Sequence, residues 1–271
     1  QARIKRFATL TRAKPDHPET KMLLAELHIA NEDFPEARRR FEWVIRNYPD
    51  QQVGAFAASL MLETYRLEKD YTTLASKANE FKDLLKGDQA ETIRLEIAEY
   101  ELASLGKAAE KAYQEKRYEE AIEKYKELMS RTDKEETTTI ALINIAVAYE
   151  ELDKPGEAAK YYERLYTEFP DNNFVPYAIY RVAVNSERFF EFDKASQNYL
   201  AFYDRFGDKE TPKEVVDAFG GKFIYKEKGG DALRSGAILL ENSQDYRKAA
   251  DRYVEYSKRF SDRDDSDDVY W

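Results

Sequence analysis

The side chains able to do acid–base or metal chemistry are few. Histidine occurs twice, at His17 and His28, and cysteine not at all. Disulfides, thiolate metal sites and cysteine nucleophiles are therefore excluded, and the usual catalytic and metal constellations have few members to draw on. His17 lies in a Pro-Asp-His-Pro turn and is expected to be exposed, whereas His28 falls on a helix and is expected to pack in the core. Asp262, Asp264, Asp265, Asp267 and Asp268 could draw a hard cation through their oxygens, but the segment lacks the central glycine and closing glutamate of a calcium loop. We read it as a solvated junction. Gly220-Gly221 and Gly229-Gly230 lack the Gly-Lys-Ser/Thr ending of a phosphate loop and have no strand before them, so they read as turns. Neighbouring acids such as Glu119 and Glu120 are what a chain with 53 Asp and Glu produces by chance. No catalytic residue, metal ligand or cofactor site is expected, and the chain reads as non-enzymatic.

The composition points to the elements that carry these residues. With 271 residues, 42% of them hydrophobic, the chain has the apolar content of a folded protein. Ten glycines and eight prolines against 35% charged residues suit long solvent-exposed helices better than a turn-rich β fold. The formal charge of −10 opposes nucleic-acid binding, which needs clustered Lys and Arg. The one dense basic run, Arg38-Arg39-Arg40, lies on a helix beside Glu36 and Glu42 and reads as a face of local ion pairs. No stretch approaches the ~20 consecutive apolar residues of a membrane span, so direct membrane insertion is not expected.

Self-similarity organises the rest. A small or apolar anchor recurs at Ala37, Leu74, Ala121, Ala158, Ala195 and Ala249, at intervals of 37, 47, 37, 37 and 54 residues. Four residues on come Phe41, Ala78, Tyr125, Tyr162, Tyr199 and Tyr253, and seven on come Val44, Phe81, Leu128, Leu165, Phe202 and Tyr256. These offsets share one helical face, which must be buried. Upstream, Leu142, Ile145, Ala146 and Tyr149 form a second stripe in the fourth unit, and its small member recurs as Ala25, Ala109, Ala183 and Ala237. Small residues are what two antiparallel helices need where their backbones come closest. His28 holds the aromatic place of this stripe that Tyr65 and Tyr149 hold elsewhere. Pro49 and Pro170 end second helices.

Large apolar, small, aromatic, alanine, aromatic and proline in this order resemble the tetratricopeptide repeat. The fourth unit shows it best, in Leu142, Ile145, Ala146, Tyr149, Ala158, Tyr162, Leu165 and Pro170. No unit has the family's early tryptophan, Leu74 replaces the anchor alanine, and Gly207 and Ser261 replace the closing proline. The resemblance implies an all-α, right-handed α-solenoid of about six helical hairpins plus a leading partial repeat. The expected divisions are a truncated repeat's second helix at 1–15, repeats at 16–51, 52–88, 89–135, 136–173, 174–209 and 230–261, an insertion at 210–229, and an acidic junction at 262–271. The third repeat has a lengthened first helix over about 89–115. The insertion is an extra helix or an elaborated loop. Phe7, Leu10 and Pro15 at one end and Val269-Tyr270-Trp271 at the other read as parts of further repeats. The chain is thus expected to be a segment of a longer array, with uncovered ends that pair into a homo-oligomer.

The longer period, with Tyr48-Pro49-Asp50 and Phe169-Pro170-Asp171 at its junctions, is similar to repeats of bacterial envelope and periplasmic proteins. It implies a periplasmic or envelope-associated place, with the cytoplasm as the alternative. By the same resemblance the first helices line a concave face that takes a protein or peptide ligand. Groove candidates are Phe56, Arg66, Tyr113, Asn144, Val147, Tyr177, Tyr180, Arg181 and Arg188, since Tyr, Arg and Asn at non-core places make interface hot spots. These aromatics either face a partner or pack against the neighbouring repeat. The functional expectation is a scaffold in a multiprotein assembly. The alternatives are an accessory region of a larger enzyme or a self-associating spacer.

Overall fold

A computed structural model describes residues 16–86 and 89–263. It is all-α: thirteen helices and no strand occur among the described residues. They are α1 (Pro18–Ala30), α2 (Phe34–Asn47), α3 (Gln52–Leu67), α4 (Tyr71–Leu84), α5 (Gln89–Gln114), α6 (Tyr118–Ser130) and α7 (Glu135–Glu151). Then come α8 (Pro155–Glu168), α9 (Val175–Arg188), α10 (Phe192–Phe206), α11 (Lys213–Ala218), α12 (Tyr225–Asn242) and α13 (Tyr246–Arg259). The chain divides into two compact units, Gln1–Lys111 and Ala112–Trp271. The end segments read above as parts of further repeats, and the aspartates beyond Asp262, lie outside the described residues.

In the first unit, α1 packs on α2, α2 on α3 and α3 on α4. The core between them holds Met22, Ala25, Ala37, Phe41, Val44, Ala58, Leu62, Leu74, Ala78 and Phe81. In the second unit the same alternation runs from α6 through α10, then α10 meets α12 and α12 meets α13. Its core includes Leu142, Ala146, Ala158, Tyr162, Ala183, Ala195, Tyr199 and Phe202. Both stripes are thus largely buried, with Tyr149 and Tyr253 half-buried instead of buried. The paired small residues Ala25/Ala37, Ala146/Ala158 and Ala183/Ala195 are all fully buried. Asn47 and Glu168 end their helices just before the Tyr48-Pro49 and Phe169-Pro170 junctions, because proline cannot donate to the helical ladder. The long α5, of 26 residues, accounts for the 47-residue interval.

Each hairpin turns in the same way. Glu32, Lys69, Lys116, Asp153, Phe190 and Gln244 all have φ between 53° and 64°, and each stands five residues before its anchor. The amide of Glu32 donates to the carbonyl of Ile29 at 2.9 Å and that of Asp33 to His28 at 2.8 Å. Matching pairs occur in the other five turns, from Asp70 to Tyr65 (3.0 Å) through Asp245 to Leu240 (2.9 Å). This is a Schellman closure, in which a left-handed residue lets its own amide and the next one satisfy the helix's orphan carbonyls. The residue after it caps the second helix: Asp33, Asp70 and Asp245 accept from the amides of Glu36, Thr73 and Lys248. Glycine usually fills the left-handed place because it has no Cβ to clash. Here it never does, so nothing in the sequence announced these turns.

Three expectations need correction. Gly229 and Gly230 do not form a turn; they lie inside α12, which begins at Tyr225 within the stretch assigned to the insertion. A Cβ on Gly229 would stand 2.9 Å from the Gly207 Cα, so the two glycines let α12 cross the end of α10 backbone to backbone. Gly220 and Gly221 do turn, with φ of 57° and 73°. His28 is half-buried instead of a core residue, because Nδ1 reaches the exposed Asp33 carboxylate at 2.9 Å. His17, at the N-terminal boundary of α1, is half-buried too. The insertion is a short helix plus a loop: Val215 and Phe223 are buried, and the Tyr225 amide donates to Thr211 Oγ1 at 2.8 Å.

Replacing Lys116 by Gly should stabilise its hairpin by about 0.5–1 kcal/mol, since relief of left-handed strain exceeds glycine's entropic cost. Urea unfolding of the two proteins tests this, and a loss of stability would contradict the turn assignment.

Candidate functional site

The first helices α7 and α9 of the second unit carry most of the groove candidates, and α12 is the next first helix after them. Counting back eleven from each anchor gives Glu26, Glu63 and Glu110, and then Val147, Val184 and Ile238. The last three are half-buried on successive first helices, and Ile140, about two turns upstream of Val147, is 46% exposed. Ile238 escaped the sequence reading, although the same count applied to the sixth unit finds it.

Polar groups flank this aliphatic line. Arg181 on α9 donates through Nε to Glu150 Oε1 on α7 at 3.1 Å, and its Nη2 meets the second carboxylate oxygen. Asn185 Nδ2 donates to the same carboxylate and to the Arg181 carbonyl at 2.9 Å. Burial opposes the guanidinium charge, and the Glu150 carboxylate outweighs it, so the Arg181 pKa is raised. Arg181 is therefore a strut between α7 and α9, with part of its surface still open.

Carboxylates eight before the anchor are held by tyrosines. Tyr199 donates its hydroxyl to Glu187 at 2.8 Å, and Tyr253 to Glu241 at 2.7 Å. Both pairs join positions −8 and +4 of one hairpin. Glu150 and Tyr162 occupy these places in the fourth hairpin, but Glu150 is taken by Arg181 and Asn185. Glu187 and Glu241 are thus each held in place by a tyrosine hydroxyl.

Tyr177 and Tyr180 are half-buried and pack on neighbouring aromatic rings. The Tyr177 ring stacks on Phe219 of the insertion at 3.9 Å and meets Phe223 edge-on at 5.1 Å. Tyr180 lies edge-on to Phe202 and Phe223, at 5.3 and 5.5 Å. Burial first, then the Asp231 carboxylate, push the Tyr180 phenol up to about 12. Of the two readings left open for these aromatics, packing is the one the geometry shows for this pair. Its cause is the insertion, whose docking side was not legible in the sequence.

The remaining candidates are dispersed. Asn144 is half-buried on α7 beside Val147. Arg188 is exposed at the end of α9 and pairs with Asp153 at 2.8 Å. Tyr113 is half-buried and edge-on to Tyr118 at 5.3 Å, and burial raises its pKa. In the first unit Phe56 stands exposed on α3, while Arg66 there donates to Glu63 at 2.6 Å. The Arg38-Arg39-Arg40 run forms ion pairs as expected, with Arg39 on Glu36 at 2.8 Å. Arg38 goes further and bridges to α3, donating to Thr64 at 2.7 Å beneath the Tyr65 ring. Among the described residues no group of three or more His, Asp or Glu converges as a metal site, and no helix is long and apolar enough to cross a membrane.

Residues 22–62, which span the first hairpin and most of α3, match the family model of the tetratricopeptide repeat. Residues 22–62 thus carry a tetratricopeptide repeat. The same turn closure recurs in all six hairpins, five of which pair two alanines where the second has Leu62 and Leu74, so the pattern runs beyond the matched segment. Residues 107–202 also match the model of a domain of unknown function, DUF6340. Comparison of the sequence with curated proteins finds no match. Among solved structures, the TPR domain of P58(IPK) is 19% identical with a TM-score of 0.40, over 89% of this chain and 61% of that one. The chain thus spans less than two thirds of that domain. PilF of Pseudomonas aeruginosa is 15% identical, with a TM-score of 0.38 over 93% of this chain and 95% of its own. PilW, described as a widely conserved type IV pilus biogenesis factor, is 17% identical, with a TM-score of 0.43 over 93% and 97%.

Replacing Glu150 by Ala strands the Arg181 guanidinium and the Asn185 amide, and should cost about 2–3 kcal/mol in urea unfolding, below the range for a fully buried pair. Adding Arg181→Met should restore part of the loss. A neutral Glu150→Ala variant would contradict the strut.

Proposed function

We propose that these tetratricopeptide repeats form a non-enzymatic scaffold that holds a segment of another protein along α7, α9 and α12 of the second unit. The observation that carries this reading is the line of Val147, Val184 and Ile238. Three successive first helices keep an aliphatic side chain half-open at one register place, where the earlier repeats carry glutamate. Each such side chain buried against a partner contributes about 25 cal/mol per Å² of apolar surface removed from water. The Arg181–Glu150 strut fixes the spacing of α7 and α9, so binding need not order the face first. The Glu187 and Glu241 carboxylates, already oriented by tyrosines, offer directed acceptors to the partner's amides or cations.

We place the scaffold in a bacterial envelope assembly. The support is the aromatic-Pro-Asp form of its junctions and the lack of cysteine, which suits an oxidising compartment. Fractionation of cells carrying the natural gene checks that placement, and an exclusively cytoplasmic product would refute it.

The test of the binding face is a variant with Ile140→Glu, Val147→Thr and Val184→Thr. Capture of a native protein partner from bacterial extract should fall about ten-fold or more, with the helical circular dichroism unchanged. Undiminished capture by the folded variant would remove this face from the account.

A further inference from the structure

The six hairpin turns share one backbone conformation but not one chemistry. Five of the left-handed residues are Glu32, Lys69, Lys116, Asp153 and Gln244, polar side chains that water can solvate. The sixth, Phe190, has φ of 64° and is 79% exposed. A bulky aromatic pays a steric cost in the left-handed region and a hydrophobic one in water. Nothing in the hairpin requires it, because the same closure forms elsewhere without it.

Phe190 does not stand alone. The Phe192 ring, 44% exposed, lies edge-on to it at 6.1 Å, and Tyr246 at the corresponding place of the next hairpin is 64% exposed. Phe189 differs: its ring lies over Gly156, where an added Cβ would come within 3.2 Å, so it is partly spent inside the fold. Phe190 and Phe192 line a shallow recess together with Glu191, Asp193, Lys194, Asn242 and Ser243.

The charges of this recess are unbalanced. Lys194, its one cation, donates to Glu163 at 2.7 Å and lies 3.6 Å from Glu191, so two carboxylates share it. Asp193 has no cationic partner among the described residues. Nearby Arg188 is likewise taken, by Asp153. The surface therefore presents exposed aromatic faces beside surplus negative charge, on a chain whose formal charge is −10.

We propose that the Phe190–Phe192 recess is a second docking surface, for a protein segment that sets an arginine or lysine beside an aliphatic side chain. The cation lies over a ring face and pairs with Asp193, while the aliphatic side chain covers the other ring. A second copy of this chain does not fit, because it would bring the same surplus of carboxylates. The surface shares no residue with the Val147, Val184 and Ile238 line and does not depend on that reading.

The test uses the whole chain and short dye-labelled peptides of alternating Leu and Arg, with a Leu–Gln peptide of the same length beside them, read by fluorescence anisotropy. Phe190→Asn suits the left-handed backbone, so its unfolding midpoint should be no lower than that of the parent protein. It should weaken binding of the Leu–Arg peptide about ten-fold or more. Asp193→Asn should weaken it by a smaller factor, and the Leu–Gln peptide should bind far more weakly than Leu–Arg. Val147→Thr with Val184→Thr should leave this binding unchanged. Equal binding of Leu–Arg by Phe190→Asn, or of Leu–Gln by the parent protein, would overturn the proposal. A midpoint several degrees lower for Phe190→Asn would also overturn it, by showing that the ring holds the hairpin.

Discussion

Everything in this molecule depends on how closely two antiparallel helices approach within a hairpin. Ala146 with Ala158, and Ala183 with Ala195, are fully buried because a larger side chain at either place would hold the backbones apart. Once the pair is closed, Tyr162 and Leu165, or Tyr199 and Phe202, fill the space around it. The Schellman closure sets which residues meet, since its left-handed residue stands five before the anchor in all six turns. A one-residue slip would carry the alanine off the seam, and in one direction would put Glu157 or Lys194 there. Register, packing and the direction of the first-helix side chains thus follow from one local geometry.

That geometry was half legible in the sequence. The alanines and aromatics at fixed offsets show the helices, their buried faces and the 37-residue spacing, because burial selects residue type strongly. The turns were silent, since Glu32, Lys69 and Lys116 carry no glycine signal for a left-handed backbone. Gly229-Gly230 misled in the other direction: glycine marks a close approach as well as a turn, and contact with Gly207 is seen only when α10 and α12 are both placed. Long-range pairing hid the rest. Tyr177 looks like a free hot-spot aromatic until the insertion lays Phe219 over it, and Arg181 looks like a ligand-binding cation until Glu150 is found on α7.

These losses sharpen the functional account. The aromatics and charges most attractive in sequence are largely spent on holding first helices at a fixed spacing. What they leave open is plainer: Val147, Val184 and Ile238, with carboxylates oriented by Tyr199 and Tyr253 alongside. In the proposed scaffold this row of aliphatic and acceptor groups would hold a partner by shape and repeated modest contacts, with a low ordering cost of association.

Amide hydrogen exchange on the natively co-purified complex, compared with the free protein, tests this account most directly. The account predicts added protection on α7, α9 and α12, with α8, α10 and α13 unchanged. Protection gained on α8, α10 and α13 while the first helices stay as they were would contradict it.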